Sequence, residues 1–415
     1  MVAAIGFVLY ASAGALGAYA ARDDFQWLNG ARELPLAYTF QVKGRTHFYR
    51  PMAELWWFAS ARVCGHQIAC YHAIEVLTHI ANALLFMALT RRLFARRDTA
   101  LASAALFIVM PAYVQAVVWV CAVTTLFAAF WYLVCLHAAL SAAARDRAGG
   151  YSGVAIAAAG AALYTHESSA TLAFTIPLVV WLSPSKRRYA PDAGEAAAGL
   201  ALLALFAYTT LVANAHNYVF TSGHYTAGRH ALAHAFDYIR ALYVGRRAAP
   251  DYLGLAIVIA AILWWGNRTT RSGLAWMLLT MIPYLSFTWG NVGRYTYLPA
   301  MGFAWILTGA ILAARERLAV RLSRRVAMTI ACTIFVLLAI RFAAFSRSAI
   351  HAEVRWMEAY RGYARAVMSA PTFRPENGAV VVRPPDGVTV EREYVGPMLQ
   401  WEARTPALAV RFMDQ

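Results

Sequence analysis

The chain of 415 residues is 60% hydrophobic and 14% charged, where an ordinary soluble domain carries about 25% charged residues. That deficit, held over most of the length, excludes a water-soluble globular enzyme and points to a polytopic membrane protein. The net charge of +16 is what basic cytoplasmic loops produce by themselves, and no basic stripe coincides with a soluble module able to grip nucleic acid.

The first twenty residues, MVAAIGFVLYASAGALGAYA, hold no charge and lack the basic start of a cleavable leader, so they read as a retained transmembrane helix. Further apolar runs follow near 72–93, 99–119, 122–143, 151–165, 169–183, 195–214, 252–266, 273–289, 299–314 and 326–345. The sequence thus predicts about eleven spans. With the N-terminus cytoplasmic, the even loops read TRRLFARRD, ARDRAGG, SPSKRRYAPD, GNRTTRSG and RERLAVRLSRR, all basic. The opposite loops MPAYVQAV, THESS and TWGNVGRYTYLP carry almost no positive charge, and the asymmetry orients the bundle. It predicts that the long loops 21–71 and 215–251, and the tail from residue 346, lie outside the cytoplasm.

Each outer loop brings polar groups. Asp23 and Asp24 leave the first span side by side, and a carboxylate so placed is suited to take a proton from an acceptor. The stretch THFYRPMAELWW supplies His47 and Arg50 just before an interfacial amphipathic helix that Pro51 opens. Cys64 and Cys70 flank a short turn and pair if that side is oxidising. Cys121, Cys135 and Cys332 lie in or beside apolar runs and read as packing residues.

In the second span Glu75 and His79 are four apart on one helix face, a candidate metal pair. THESS adds His166 and Glu167. The loop 215–251 carries His216, His224, His230 and His234 without a nearby Cys or carboxylate ligand, which argues against zinc. GNVGRYTYLPAMGF then supplies Arg294, the only charge in its loop, with Tyr295 and Tyr297. A planar guanidinium suits a phosphate headgroup. The tail mixes an amphipathic run, AEVRWMEAYRGYARAVM, with the strand-like GAVVVRPP and ALAVRFM. The fold class expected is therefore an all-α polytopic membrane domain, residues 1–345, with a small α+β extracytoplasmic region, 346–415.

Taken in order, DD in the first outer loop, HFYRPM, YHAIEVLTHIANALL, MPAYVQAVVWV, THESS and GRYTYLPAMGF resemble the bacterial relatives of the protein O-mannosyltransferases. These belong to the GT-C superfamily of polytopic glycosyltransferases, and the pattern is nearest the transmembrane-and-TPR type without its TPR repeats. The resemblance spans about residues 20–305. It implies a GT-C fold, a polyprenyl-phosphate-linked sugar as donor, and glycosylation of a hydroxyl on a protein, lipid or glycan acceptor at the periplasmic face of a bacterial inner membrane. It puts Asp23 or Asp24 at the acceptor hydroxyl and matches Arg294 to the family's RYLYLP-like motif; that Arg294 binds the donor phosphate, with Arg50, His47 and Tyr295 in support, is an expectation from the residues themselves. His166, Glu167 and Gln115 fall at acceptor or supporting positions. A divalent cation, Mg or Mn, is optional, with Asp23, Asp24, Glu75 and His79 as its candidate ligands.

The sequence also departs from that pattern. Where the family reads His-Pro, then Glu, Trp, Gly-Arg and Asp, this chain has Met110-Pro111, Gln115, Trp119, Ala122-Val123 and Thr125, and His166-Glu167 stands for Lys-Glu. The alternatives are a catalytically inactive lipid-sugar binder and a lipid-linked sugar transporter. The collection of polar groups at one face, rather than at mid-membrane, favours surface chemistry over transport.

Overall fold

The computed structural model describes residues 1–43, 48–144, 149–184, 193–226, 228–244, 252–288, 293–383, 385 and 390–413. Helix α1 (Val2–Ser12) is followed by α2 (Asp24–Glu33), α3 (Pro51–Cys64), α4 (Ile68–Phe94) and α5 (Arg97–Ile108). Then come α6 (Val123–Ala143), α7 (Gly149–Leu163), α8 (Leu172–Leu182), α9 (Ala193–Ala207), α10 (His230–Val244) and α11 (Tyr252–Trp265). The chain closes with α12 (Arg268–Met281), α13 (Tyr297–Arg321), α14 (Arg324–Met368) and α15 (Arg392–Ala403). Two short strands, β1 (Ala379–Val382) and β2 (Ala409–Phe412), flank α15 and pair in parallel.

Among the described residues, five helices are long and apolar enough to cross a bilayer, and six if one bent pair counts as a span. Shorter apolar helices of 10–17 residues occupy four more of the expected spans. Apolar side chains such as Leu200, Leu211, Trp264, Trp265 and Leu337 stand exposed on the outside of the bundle, which suits a hydrocarbon solvent and not water. The chain is an integral membrane protein.

Two local features shape the end of the bundle where the loops gather. The span expected over 99–119 is broken: α5 stops at Ile108, and Pro111–Val118 continues at 44° to it. Pro111 cannot donate to the helix ladder and its ring clashes one turn back, so residues 110–122 become a run of short turns instead of bilayer-spanning helix. At the other feature, α12 crosses α13 backbone to backbone. A Cβ on Gly273 would meet the Gly302 carbonyl at 2.5 Å, so only small residues permit this contact. Around it packs an aromatic core: Trp276 on Trp305 at 5.3 Å, Phe86 on Trp305 at 5.4 Å and Phe107 on Tyr297 at 5.4 Å.

Helix α14 runs on without interruption past residue 345, so the expected boundary there falls inside one helix. Its far end and α15 lie against the first loop. Arg22 forms an ion pair with Glu391 at 2.6 Å, Tyr360 donates to the same carboxylate, Tyr19 donates to Glu402, and Asn29 Nδ2 donates to the Pro397 carbonyl at 2.9 Å. Cys64 and Cys70 are joined as a disulfide, and His66 within that loop packs on Trp401 of α15 at 4.4 Å. The tail is thus docked beside Asp23.

Candidate active site

The chain leaves α1 through a tight turn in which Arg22 takes a left-handed conformation, φ 55°. For a residue with a Cβ that costs about 1–2 kcal/mol, and the neighbours fix it in place. Trp119 Nε1 donates to the Ala21 carbonyl at 3.3 Å, and the Ala21 N–H donates to Asp24 Oδ2 at 2.8 Å. The other Asp24 oxygen accepts the Cys121 N–H at 2.6 Å. Asp24 is fully buried, with both carboxylate oxygens engaged in tying the first loop to the 120–122 turn.

Asp23 points the other way. It lines a cavity of 460 Å³ together with Arg50, Trp119, Cys121, Glu167 and Arg294. Its Oδ2 accepts the Cys121 thiol at 3.2 Å, while Oδ1 is shielded and makes no hydrogen bond within the protein. Burial pushes the Asp23 carboxyl above its ordinary range, against the opposing pull of the thiol and the Arg294 charge. Burial and then the adjacent Asp23 push Asp24 up further.

Arg294 sits on an aromatic platform. Its guanidinium lies 4.8 Å from the Trp119 ring and 5.0 Å from Tyr295. Tyr295 itself stacks on Tyr284 at 4.6 Å and on Phe287 at 5.2 Å. Among the described residues no carboxylate is within ion-pair distance of Arg294. Gly293 makes the placement possible, because a Cβ there would meet the Ala112 carbonyl oxygen at 2.6 Å. Backbone cannot yield cheaply to that approach. Gly293→Ala is expected to displace Arg294 and lower stability by about 1–3 kcal/mol, checked by thermal melting beside polyprenyl-phosphate binding.

Arg50 is in a different state. Its Nε and Nη2 donate to the two oxygens of Glu167 at 3.0 and 2.7 Å. Burial alone would raise the Glu167 carboxyl, but Arg50 overrides it and holds the value at about 2, below the ordinary 4.5. Because the folded value is depressed, the stability from this pair is fully present above pH 4.5 and is lost as pH falls toward 2. Either Arg50→Ala or Glu167→Gln is expected to cost about 1.5–3 kcal/mol at neutral pH, and in Glu167→Gln the melting temperature becomes less sensitive to acid over that window. His166 lies beside the pair, with Nδ1 accepting the Ser168 N–H at 3.2 Å, which leaves the proton on Nε2, 3.8 Å from Glu167. Burial lowers its pKa to about 4, so at neutral pH the ring is uncharged.

A second cavity of 680 Å³ shares Asp23, Trp119, Tyr218, Arg294 and Tyr394 with the first and extends to Gln115 and Glu353. Seven of the residues singled out in the sequence (Asp23, Arg50, Gln115, His166, Glu167, Arg294 and Tyr295) therefore line these two joined spaces. Glu75 and His79 do not. Glu75 accepts from or donates to His72 at 2.9 Å, and His79 bonds the Tyr297 hydroxyl at 2.8 Å, both inside the helical core. The two residues expected as a metal pair thus bond different neighbours, with Glu75 Oε1 and His79 Nε2 left without a hydrogen-bond partner among the described residues. His47 lies outside the described residues. His230 and His234 pack ring to ring at 5.3 Å on α10.

The sequence reading missed four contributors. Cys121, taken for packing, faces Asp23, and Glu353, Glu393 and Tyr394 reach the cavities from α14 and α15. Hard divalent cations need several oxygen ligands at once. Among the described residues no group of three or more His, Cys, Asp or Glu is placed to hold one, and both oxygens of Asp24 already accept backbone hydrogens. These described residues, as placed, do not assemble a cation site.

No protein-family model matches the chain, and no curated protein matches it in sequence. Solved structures do. The chain superposes on ArnT from Cupriavidus metallidurans bound to undecaprenyl phosphate with a TM-score of 0.53 and 14% identity, covering 100% of this chain and 85% of that one. The apo oligosaccharyltransferase of Archaeoglobus fulgidus gives 0.50 at 12% identity, covering 98% of this chain and 63% of that one. The chain has the GT-C fold. Within the GT-C frame, the loop after α1, the 110–122 turns and the Gly293–Thr296 turn meet at one end of the bundle.

Proposed function

We propose that this GT-C chain is a glycosyltransferase that moves a sugar from a polyprenyl-phosphate-linked donor to a hydroxyl acceptor at the periplasmic face of a bacterial inner membrane. The observation that carries the reading is one cavity lined by both Arg294, a cation on an aromatic platform with no carboxylate bound to it among the described residues, and Asp23, a carboxylate with one oxygen that has no hydrogen-bond partner. The likeness to ArnT, solved with undecaprenyl phosphate, supports the donor class. The Cys64–Cys70 disulfide in the same long loop as Asp23 supports an oxidising compartment, and the charge asymmetry of the loops along the sequence supports the same orientation.

In this mechanism Arg294 holds the donor phosphate. The Asp23 carboxylate takes the acceptor hydroxyl proton as the acceptor oxygen bonds to the anomeric carbon. The bond from that carbon to the phosphate oxygen breaks, its electron pair leaves with polyprenyl phosphate, and the configuration inverts. Arg294 gains most as negative charge gathers on the leaving phosphate, which is where a preorganised cation lowers a barrier. Glu167 keeps Arg50 from that role and walls the acceptor side with neutral His166. The O-mannosyltransferase-like motif order makes a mannosyl or related hexosyl donor the first to try.

The test incubates the purified protein with labelled polyprenyl-phosphate sugars and an envelope extract. Label is expected to appear on an acceptor hydroxyl. Sugar lipid crossing liposomes without transfer would replace the proposal with transport, and donor binding without turnover on protein, lipid and glycan acceptors would replace it with a binding role.

A further inference from the structure

We propose that Cys121 is a positioning residue that sorts the two adjacent carboxylates, directing Asp23 into the cavity and holding Asp24 out of it. The inference rests on the reading of Asp23 as the base. One residue contacts both acids by different groups. The Cys121 N–H donates to Asp24 Oδ1 at 2.6 Å, and its thiol donates to Asp23 Oδ2 at 3.2 Å. The thiol holds one oxygen of Asp23, and the other, shielded at the wall of the cavity that Asp23 lines, has no hydrogen-bond partner. Cys121 itself lines that cavity beside Trp119 and Arg294, so it is not enclosed by packing.

The choice of sulfur has a chemical consequence. A strong donor on a carboxylate stabilises the charged form and weakens it as a base. A thiol is a weak donor, so it fixes the orientation of Asp23 while taking little from its basicity. The other groups acting on Asp23 are Arg22 and Asp24 on its own loop, Arg294 from the turn before α13, Tyr218, and Tyr394 on α15. These groups act on the Asp23 side chain through charge, whereas the thiol donates a hydrogen bond to it and sets its direction.

Two substitutions separate positioning from bulk packing, since both keep the backbone N–H that Asp24 needs. Cys121→Ala is expected to lower kcat about tenfold with KM for the lipid donor unchanged, because a small misplacement of a base is costly. Cys121→Ser restores a donor and is expected to recover kcat, with the acidic limb of the pH–rate profile moved to lower pH than in wild type. In Cys121→Ala that limb moves to higher pH. A readout independent of turnover is the infrared S–H stretch, recorded with Cys135→Ala and Cys332→Ala so that Cys121 is the only free thiol, the remaining cysteines being in the disulfide. The band is expected at lower frequency than a thiol in water and to rise in Asp23→Ala. If the band ignores Asp23→Ala, the inference is overturned whether or not transfer is observed. Equal kcat and pH profiles for the alanine, serine and wild-type proteins would overturn it as well. Loss of transfer in every protein with the S–H band still responding to Asp23 would leave the positioning intact and count against the glycosyltransferase reading alone.

Discussion

Asp23→Asn is expected to reduce transfer about 10²–10⁴-fold, the usual worth of a general base, with the fold and polyprenyl-phosphate binding retained. The amide keeps the size and one acceptor for the Cys121 thiol but cannot take a proton from a hydroxyl. Asp24 behaves in the opposite sense. Its oxygens accept the Ala21 and Cys121 N–H groups in a fully buried corner, so Asp24→Ala leaves two backbone donors unsatisfied at about 1–3 kcal/mol each. Asp24→Asn turns its NH₂ toward one of them and saves only part of that cost. The two aspartates are therefore separated by pairing a transfer assay with a melting curve. Asp23 variants should lose rate at unchanged melting temperature, and Asp24 variants should lose melting temperature first. Full activity in Asp23→Asn would remove the base from this side chain.

How much of this was legible in the sequence depends on what kind of constraint each residue obeys. The gathering of Asp23, Arg50, His166, Glu167 and Arg294 at one end followed from the charge asymmetry of the loops, because topology alone decides which loops share a side. The ranking of the two aspartates did not follow. It depends on the left-handed turn at Arg22 and on the partners 97 residues away at Cys121, and neither leaves a local signature. Cys121 sits in an apolar run, where a thiol looks like any small hydrophobe. Glu75 and His79 share a helix face by spacing, yet a face offers several neighbours, and His72 and Tyr297 were nearer in chemistry.

The tail illustrates a further limit. Arg22 and Glu391 are 369 residues apart in the chain, and no periodicity or motif relates them. The strand-like runs and the amphipathic run could be read locally, whereas the contact of α15 with the first loop could not. Yet this docking brings Glu393 and Tyr394 into the lining of the cavity that holds Asp23 and Arg294. The broken span at Pro111 is an intermediate case. The proline marked the spot, and an eye on its helix-breaking chemistry would have shortened the span before 110.

Arg294→Ala is expected to weaken polyprenyl-phosphate binding roughly 10- to 150-fold, the equivalent of about 1.5–3 kcal/mol for hydrogen bonds to a charged group, and to lower kcat as well. The reduction in kcat follows because charge on the phosphate grows as the sugar departs, so the cation binds the transition state more tightly than the ground state. Arg294→Lys should fall between, since an ammonium keeps the charge but loses the planar fork and its stacking on Trp119 and Tyr295. Stability should fall only modestly in the alanine variant: no carboxylate among the described residues is left without its ion-pair partner, and the two lost cation–π contacts are worth about 0.5–2 kcal/mol each at a partly buried site. Arg50→Ala provides the contrast. It strands Glu167, which the guanidinium grips with two donors, so it should lower the melting temperature while leaving intrinsic phosphate affinity near that of wild type. Isothermal titration with undecaprenyl phosphate, run beside melting curves for both variants, separates the two arginines. An Arg294→Ala protein that binds the lipid phosphate as wild type does would mean that the donor phosphate sits elsewhere, and the cavity around Asp23 would then lose the cation its chemistry depends on.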